Sequence, residues 1–149
     1  MTLFFAVATA VGSAAVGGVY LAFAVMVLPA FRRLPAEDAT AAMQEINRRA
    51  ERGLFIAFFG ATLLLSIALG ATAIGQLSNA EGMLYLVGGM LSLASALVTV
   101  VANVPLNNKL ARDGASFWPQ YNKRWGRLNS FRALLALGAV GVIASAAAV

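Results

Sequence analysis

The sequence predicts an all-α fold: a four-helix transmembrane bundle with an amphipathic cytoplasmic helix between helices 1 and 2. It is expected to be a single transmembrane domain over residues 1–149. Three observations predict this. Only 11% of the residues are charged, against about 25% in a soluble domain, and the mean hydropathy is +0.80. Long runs contain no charge at all, the first covering residues 1–31. All eleven Lys and Arg residues fall in two stretches, 32–52 and 109–132.

The first run exceeds the roughly 20 residues that a helix needs to cross the hydrocarbon core. No basic residue precedes it, as a secretory signal would require, so it reads as helix 1, about residues 3–28, closed by Pro29. Ser13 with Gly17 and Ala14 with Gly18 are small pairs at helical spacing, suited to close helix contact. An Ala/Gly-rich span would also contain such pairs by composition alone.

Residues 36–52 predict an interfacial helix lying along the membrane. Pro35 can open it, and Glu37 and Asp38 suit its first turn. Met43, Asn47, Ala50 and Leu54 share one face, while Glu45 and Arg49 pair on another. Asn47 is either a tolerated interfacial amide or part of a site.

The second span covers about 53–75, and the polar turn 76–82 leads into a third at about 83–102. Along the third, Ser92, Ser95, Thr99 and Asn103 recur on one face. Such a stripe either forms an interior polar seam or bonds back to its own helix. The last helix is predicted over about 118–148, with the apolar span itself from Phe131. The turn 76–82 and both termini lack Lys and Arg side chains, whereas loops 32–52 and 103–130 are basic. The basic loops are therefore expected in the cytoplasm and both termini outside. An integral protein of the plasma membrane follows, the inner membrane in a bacterium.

Several functions are excluded or weakened. The +5 charge sits in short loops between apolar runs, which argues for a lipid bilayer rather than nucleic acid as partner. Cysteine and histidine are absent, which removes thiolate chemistry, the commonest metal ligand and the usual neutral-pH proton carrier. No metal site is expected.

The polar chemistry concentrates in residues 103–132. This stretch holds both tryptophans, five of the seven asparagines and six of the eleven basic residues. Asn103, Pro105 and Asn107 mark the exit of helix 3, where the two amides could satisfy backbone groups freed at a kink. Trp118, Tyr121 or Asn122, Trp125, Asn129 and Arg132 then share one face of the last helix. An interfacial aromatic belt and a ligand-facing wall both fit that face.

Taken together, these residues resemble the anthrone-oxygenase-like membrane proteins. The resemblance rests on N-x-P-x-N at 103–107, W-x-x-Y-x-x-x-W at 118–125 and N-x-x-R at 129–132. It extends to V-L-P-A at 27–30 and M-Q-E-I-N at 43–47. It implies a four-helix membrane domain that oxygenates an anthrone to an anthraquinone without a recognised metal or flavin, so no cofactor is expected. It also implies the site residues. Arg132, Asn129 and Tyr121 would act in catalysis. Asn47, Asn103, Asn107, Trp118 and Trp125 would hold a planar aromatic or quinone-like molecule, and Thr99 joins them from the polar stripe of the third span. Relatives often carry His after the Asn of N-x-x-R, where this chain has Ser130. Tyr121, Glu45 or a water held by amides then remain as bases. The alternatives are a non-catalytic accessory or lipid-binding protein and a small carrier. A homo-oligomer is compatible with all of these.

Overall fold

Runs of Ala, Leu, Val and Phe offer no side-chain hydrogen bonds, so their backbones pair internally, and all of them fold as helix. The computed structural model describes residues 1–149, the side chain of Ala147 excepted. The fold is all-helical, with no strand among the described residues. Helix α1 spans Thr2–Phe31, α2 Ala36–Arg52, α3 Leu54–Ile74 and α4 Ala80–Val98. A π turn at Thr99–Asn103 joins α4 to α5 (Val104–Asp113), and α6 spans Trp118–Ser145. Three helical stretches are long and apolar enough to cross a membrane: Thr2–Phe31, Leu54–Ile74 and Ala80–Ser145.

The third stretch doubles back on itself. Gly88 meets Ile143, Ser95 meets Arg132, and Asn103 meets Trp125, so α4 and α6 run antiparallel. Helices α1 and α3 do the same, through Thr2 with Gln76, Gly12 with Thr62 and Tyr20 with Phe55. Helices α1 and α4 run parallel. Ser13 bonds Ser92 and Tyr20 bonds Thr99, each pair 79 residues apart. Of the two small pairs in α1, only Ser13 and Gly17 make contacts. Gly17 lies against Ala136 and Leu137, while Ala14 and Gly18 face outward.

Helix 1 does not stop at Pro29, contrary to expectation, and the third span does not stop before Pro105. A proline inside a helix loses its N–H bond, and its ring presses on the carbonyl four residues back. Here a π turn precedes each ring. Leu28 N–H bonds Phe23 O and Val104 N–H bonds Thr99 O, each five residues back. The widened turn makes room for the ring and lets the helix continue. The two π turns, Phe23–Val27 and Thr99–Asn103, and their prolines are related by a shift of 76 residues.

Leu54 is also displaced from its expected place. Gly53 adopts an extended backbone that ends α2, so Leu54 opens α3 and is exposed. The Met43 face of α2 packs instead on a cluster of Leu28, Ala39, Leu110, Phe117, Trp118, Tyr121 and Trp125. Between α5 and α6, Gly114 takes φ +63°, a conformation that favours glycine. It reverses the chain so that α6 can start at Trp118 with Pro119 in its first turn.

Candidate functional site

The site begins with the inner face of α6. Trp118, Tyr121, Trp125, Asn129 and Arg132 are spaced three or four residues apart, which puts them on one side of a helix. All five are buried. The three aromatics form a ladder, with successive ring centroids 5.8 Å apart and planes within 26°. Phe31 packs on Trp118 and Phe23 on Trp125. An interfacial belt would leave these rings facing lipid; burial makes them part of the interior wall.

The polar stripe of α4 meets that face. Ser92, Ser95, Thr99 and Asn103 are all buried, and most of their bonds reach other helices. Ser92 joins Ser13 and Ser66 at 2.9 and 2.8 Å. Ser95 Oγ donates to the Arg132 carbonyl at 2.9 Å, and Asn103 Nδ2 to the Trp125 carbonyl at 3.4 Å. Asn103 therefore does not cap backbone groups freed at Pro105. Asn107 accepts the Tyr121 hydroxyl at 2.8 Å.

Arg132 is the centre of this network, with only 6% of its surface exposed. Its Nε–H and Nη2–H donate to Asn129 Oδ1 at 3.3 and 3.0 Å, and Nη1–H donates to Thr99 Oγ1 at 3.1 Å. The guanidinium carbon lies 3.8 Å from the Tyr20 ring centroid and 5.0 Å from that of Trp125. Asn129 Nδ2 is tied in turn to the Tyr20 carbonyl at 2.8 Å. Every partner is neutral, and among the described residues no carboxylate pairs with Arg132.

A cavity of 520 Å³ opens beside this cluster, within the range of about 300–1,000 Å³ typical of small-molecule sites. Tyr20 and Phe23 of α1, Phe55 and Phe59 of α3, Thr99, Trp125 and Arg132 line it, and Met43, Asn47 and Glu51 of α2 also contribute. Of the residues expected in the site, Asn47, Thr99, Asn107, Trp125 and Arg132 reach the cavity. Asn103, Trp118, Tyr121 and Asn129 stand behind it and hold the others in place. Tyr121 is wholly buried, with its hydroxyl engaged by Asn107. Glu45 is at the rim, where Arg49 and Arg48 hold its carboxyl below the usual carboxylate range. Ser130 is exposed on the opposite side of α6, so a side chain at that position does not face the cavity.

Sequence reasoning missed Tyr20 and Glu51. Tyr20 carried a usable signal as the one phenol in an uncharged first span. Glu51 carried none, since it lies in a charged run that reads as surface.

The family model described as anthrone oxygenase matches residues 52–142. The chain belongs to the anthrone oxygenase family. The matched region includes Thr99, Asn107, Trp125 and Arg132 of the cavity wall. Anthrone oxygenase similarity thus covers α3 to α6, while Tyr20, Asn47 and Glu51 lie outside it. No curated protein and no solved structure matches the chain.

Proposed function

We propose that this protein binds a planar aromatic ketone of the anthrone or quinone class in the 520 Å³ cavity and oxygenates the anthrone form with O₂. The observation that carries the reading is a buried cation with unused donors. Of five guanidinium N–H groups, three are engaged, which leaves two. The Trp125 indole N–H is buried without a partner in the same wall. A lone buried charge costs on the order of several kcal/mol, so an oxyanion here would be strongly favoured.

The chemistry has matching demands. Removing the activated C–H proton of an anthrone places negative charge on its carbonyl oxygen, and fixed donors at that oxygen lower the barrier. The enolate carbon then bonds O₂, and loss of water leaves the second carbonyl. Phe23, Phe55, Phe59 and Ile56 supply the apolar surround that suits both a flat ring system and O₂. Ser130 is exposed, so the position where relatives often carry histidine lies outside this cavity.

In this reading the chain crosses the plasma membrane four times, as a four-helix bundle with α2 at the cytoplasmic face. The bond between Thr2 and Gln76 and the packing of Ala6 on Ile143 and Ala146 support this, by gathering both termini and the middle turn at one end. All eleven basic residues lie in the stretches at the other, the side that positive charge marks as cytoplasmic. A small carrier is the second reading. It is favoured by the prolines and π turns at corresponding places in the two halves, since Pro-interrupted apolar segments at matched positions point to transporter sites.

The test uses purified protein in nanodiscs. Anthrone-dependent O₂ uptake should exceed the spontaneous rate, and Arg132→Ala and Asn129→Ala should return it to that rate while the fold survives. Wild-type uptake no faster than the spontaneous rate, or variants that match the wild type, would remove the oxygenase reading.

A further inference from the structure

We infer that Glu51 is the proton acceptor of this site, taking the acidic C–H proton of the bound ketone. The inference rests on the functional reading just given. Two carboxylates, Glu45 and Glu51, stand in the cavity wall. Glu45 accepts from both Arg48 and Arg49, which leaves it a weak base. Glu51 makes no ion pair or side-chain hydrogen bond among the described residues.

Its position between two chambers is the second observation. Glu51 lines both the apolar cavity and an adjoining one of 220 Å³ walled by Gln44, Asn47, Arg48, Asn107 and Asn108. A carboxylate on that boundary adjoins the apolar cavity on one side and a polar, water-compatible chamber on the other. Glu51 also occupies the last turn of α2, where the carbonyl end of the helix disfavours negative charge. A carboxylate placed there gains nothing for helix stability.

The step balances without further reactants. A Glu51 carboxylate oxygen forms an O–H bond as the ring C–H bond breaks. The electron pair passes to the ketone oxygen, where Arg132 holds the enolate. O₂ bonds to the enolate carbon, and the resulting peroxide recovers the proton from Glu51. Loss of water then yields the quinone, so one anthrone and one O₂ give one quinone and one water.

The experiment uses the full chain in nanodiscs, anthrone deuterated at its methylene carbon, and anthraquinone as a non-reacting probe. Glu51→Gln should bind anthraquinone as the wild type does, read by tryptophan quenching. Its anaerobic loss of deuterium to water and its O₂ uptake should both fall about 100-fold or more. Glu51→Asp should retain part of both. Wild-type exchange in Glu51→Gln, or a matching loss of anthraquinone binding, overturns the inference. Wild-type protein that binds the probe but accelerates neither exchange nor uptake overturns it too, and leaves the binding reading intact. Protein that does not bind the probe at all removes both.

Discussion

Arg132 and Tyr20 come from helices more than a hundred residues apart, yet the guanidinium carbon lies 3.8 Å from the phenol ring centroid. The same tyrosine bonds Thr99 at 3.1 Å through its hydroxyl and receives the Asn129 amide at its carbonyl. Tyr20 therefore positions the one buried cation from three directions. Tyr20→Phe should cost about 1 kcal/mol, the worth of a buried neutral hydrogen bond. Tyr20→Leu should cost about 1–2 kcal/mol more, because a desolvated cation–π contact goes with the ring. Denaturant unfolding in mild detergent checks the order, and equal losses would contradict it.

Trp125 separates packing from binding. Its ring stacks on Tyr121 and packs on Phe23, while its N–H has no partner. Trp125→Phe keeps an aromatic ring in place, removes the donor and gives up part of the indole's packing. Anthraquinone affinity should fall about fivefold, equivalent to roughly 1 kcal/mol for a lost hydrogen bond. A titration showing unchanged affinity would place the ligand's oxygen elsewhere.

Gly88 sets the distance between α4 and α6. A Cβ there would run into Ile143 Cγ1, so Gly88→Ala should destabilise by about 1–3 kcal/mol through overpacking. Ile143→Ala removes the obstructing atoms. The double variant should recover much of the loss, and strict additivity in a double-mutant cycle would show that the two residues do not meet.

Glu45 gives a pH dependence with a definite sign. Bonds from Arg49 and then Arg48 hold its carboxyl below the usual carboxylate range. A depressed folded-state pKa stabilises above the unfolded value, near 4.3, and that contribution is lost as pH falls through the folded value. Helix α2 should therefore exchange its amides faster below about pH 4, corrected for the intrinsic rate. Glu45→Gln should abolish that acid-dependent change, and hydrogen exchange by mass spectrometry reads both.

The chain topology is tested independently of any chemistry. A reporter fused after Val149 should be active outside the cytoplasm, and one inserted after Gly114 inside it. The opposite pair of signals would invert the arrangement and place α2 on the outer face.

The sequence by itself determined what depends on local composition and helical period. Uncharged runs of Ala, Leu and Val marked the long helices, Pro119 the start of α6, and the concentration of aromatic and amide residues in 103–132 one wall of the cavity. The stripe Ser92–Ser95–Thr99–Asn103 was legible as one face, as was the series from Trp118 to Arg132. A period of 3.6 residues identifies a face but not its neighbour, because helix rotation is set by packing between distant segments. Only the tertiary structure decided that the Trp118–Tyr121–Trp125 ladder points inward and that Ser130 points out. It alone brought Tyr20 under Arg132, and it alone carried α2 over the cavity with Glu51 in its wall. Proline gave the misleading signal: Pro29 and Pro105 end helices in a regular α geometry, and the π turns ahead of them remove the clash.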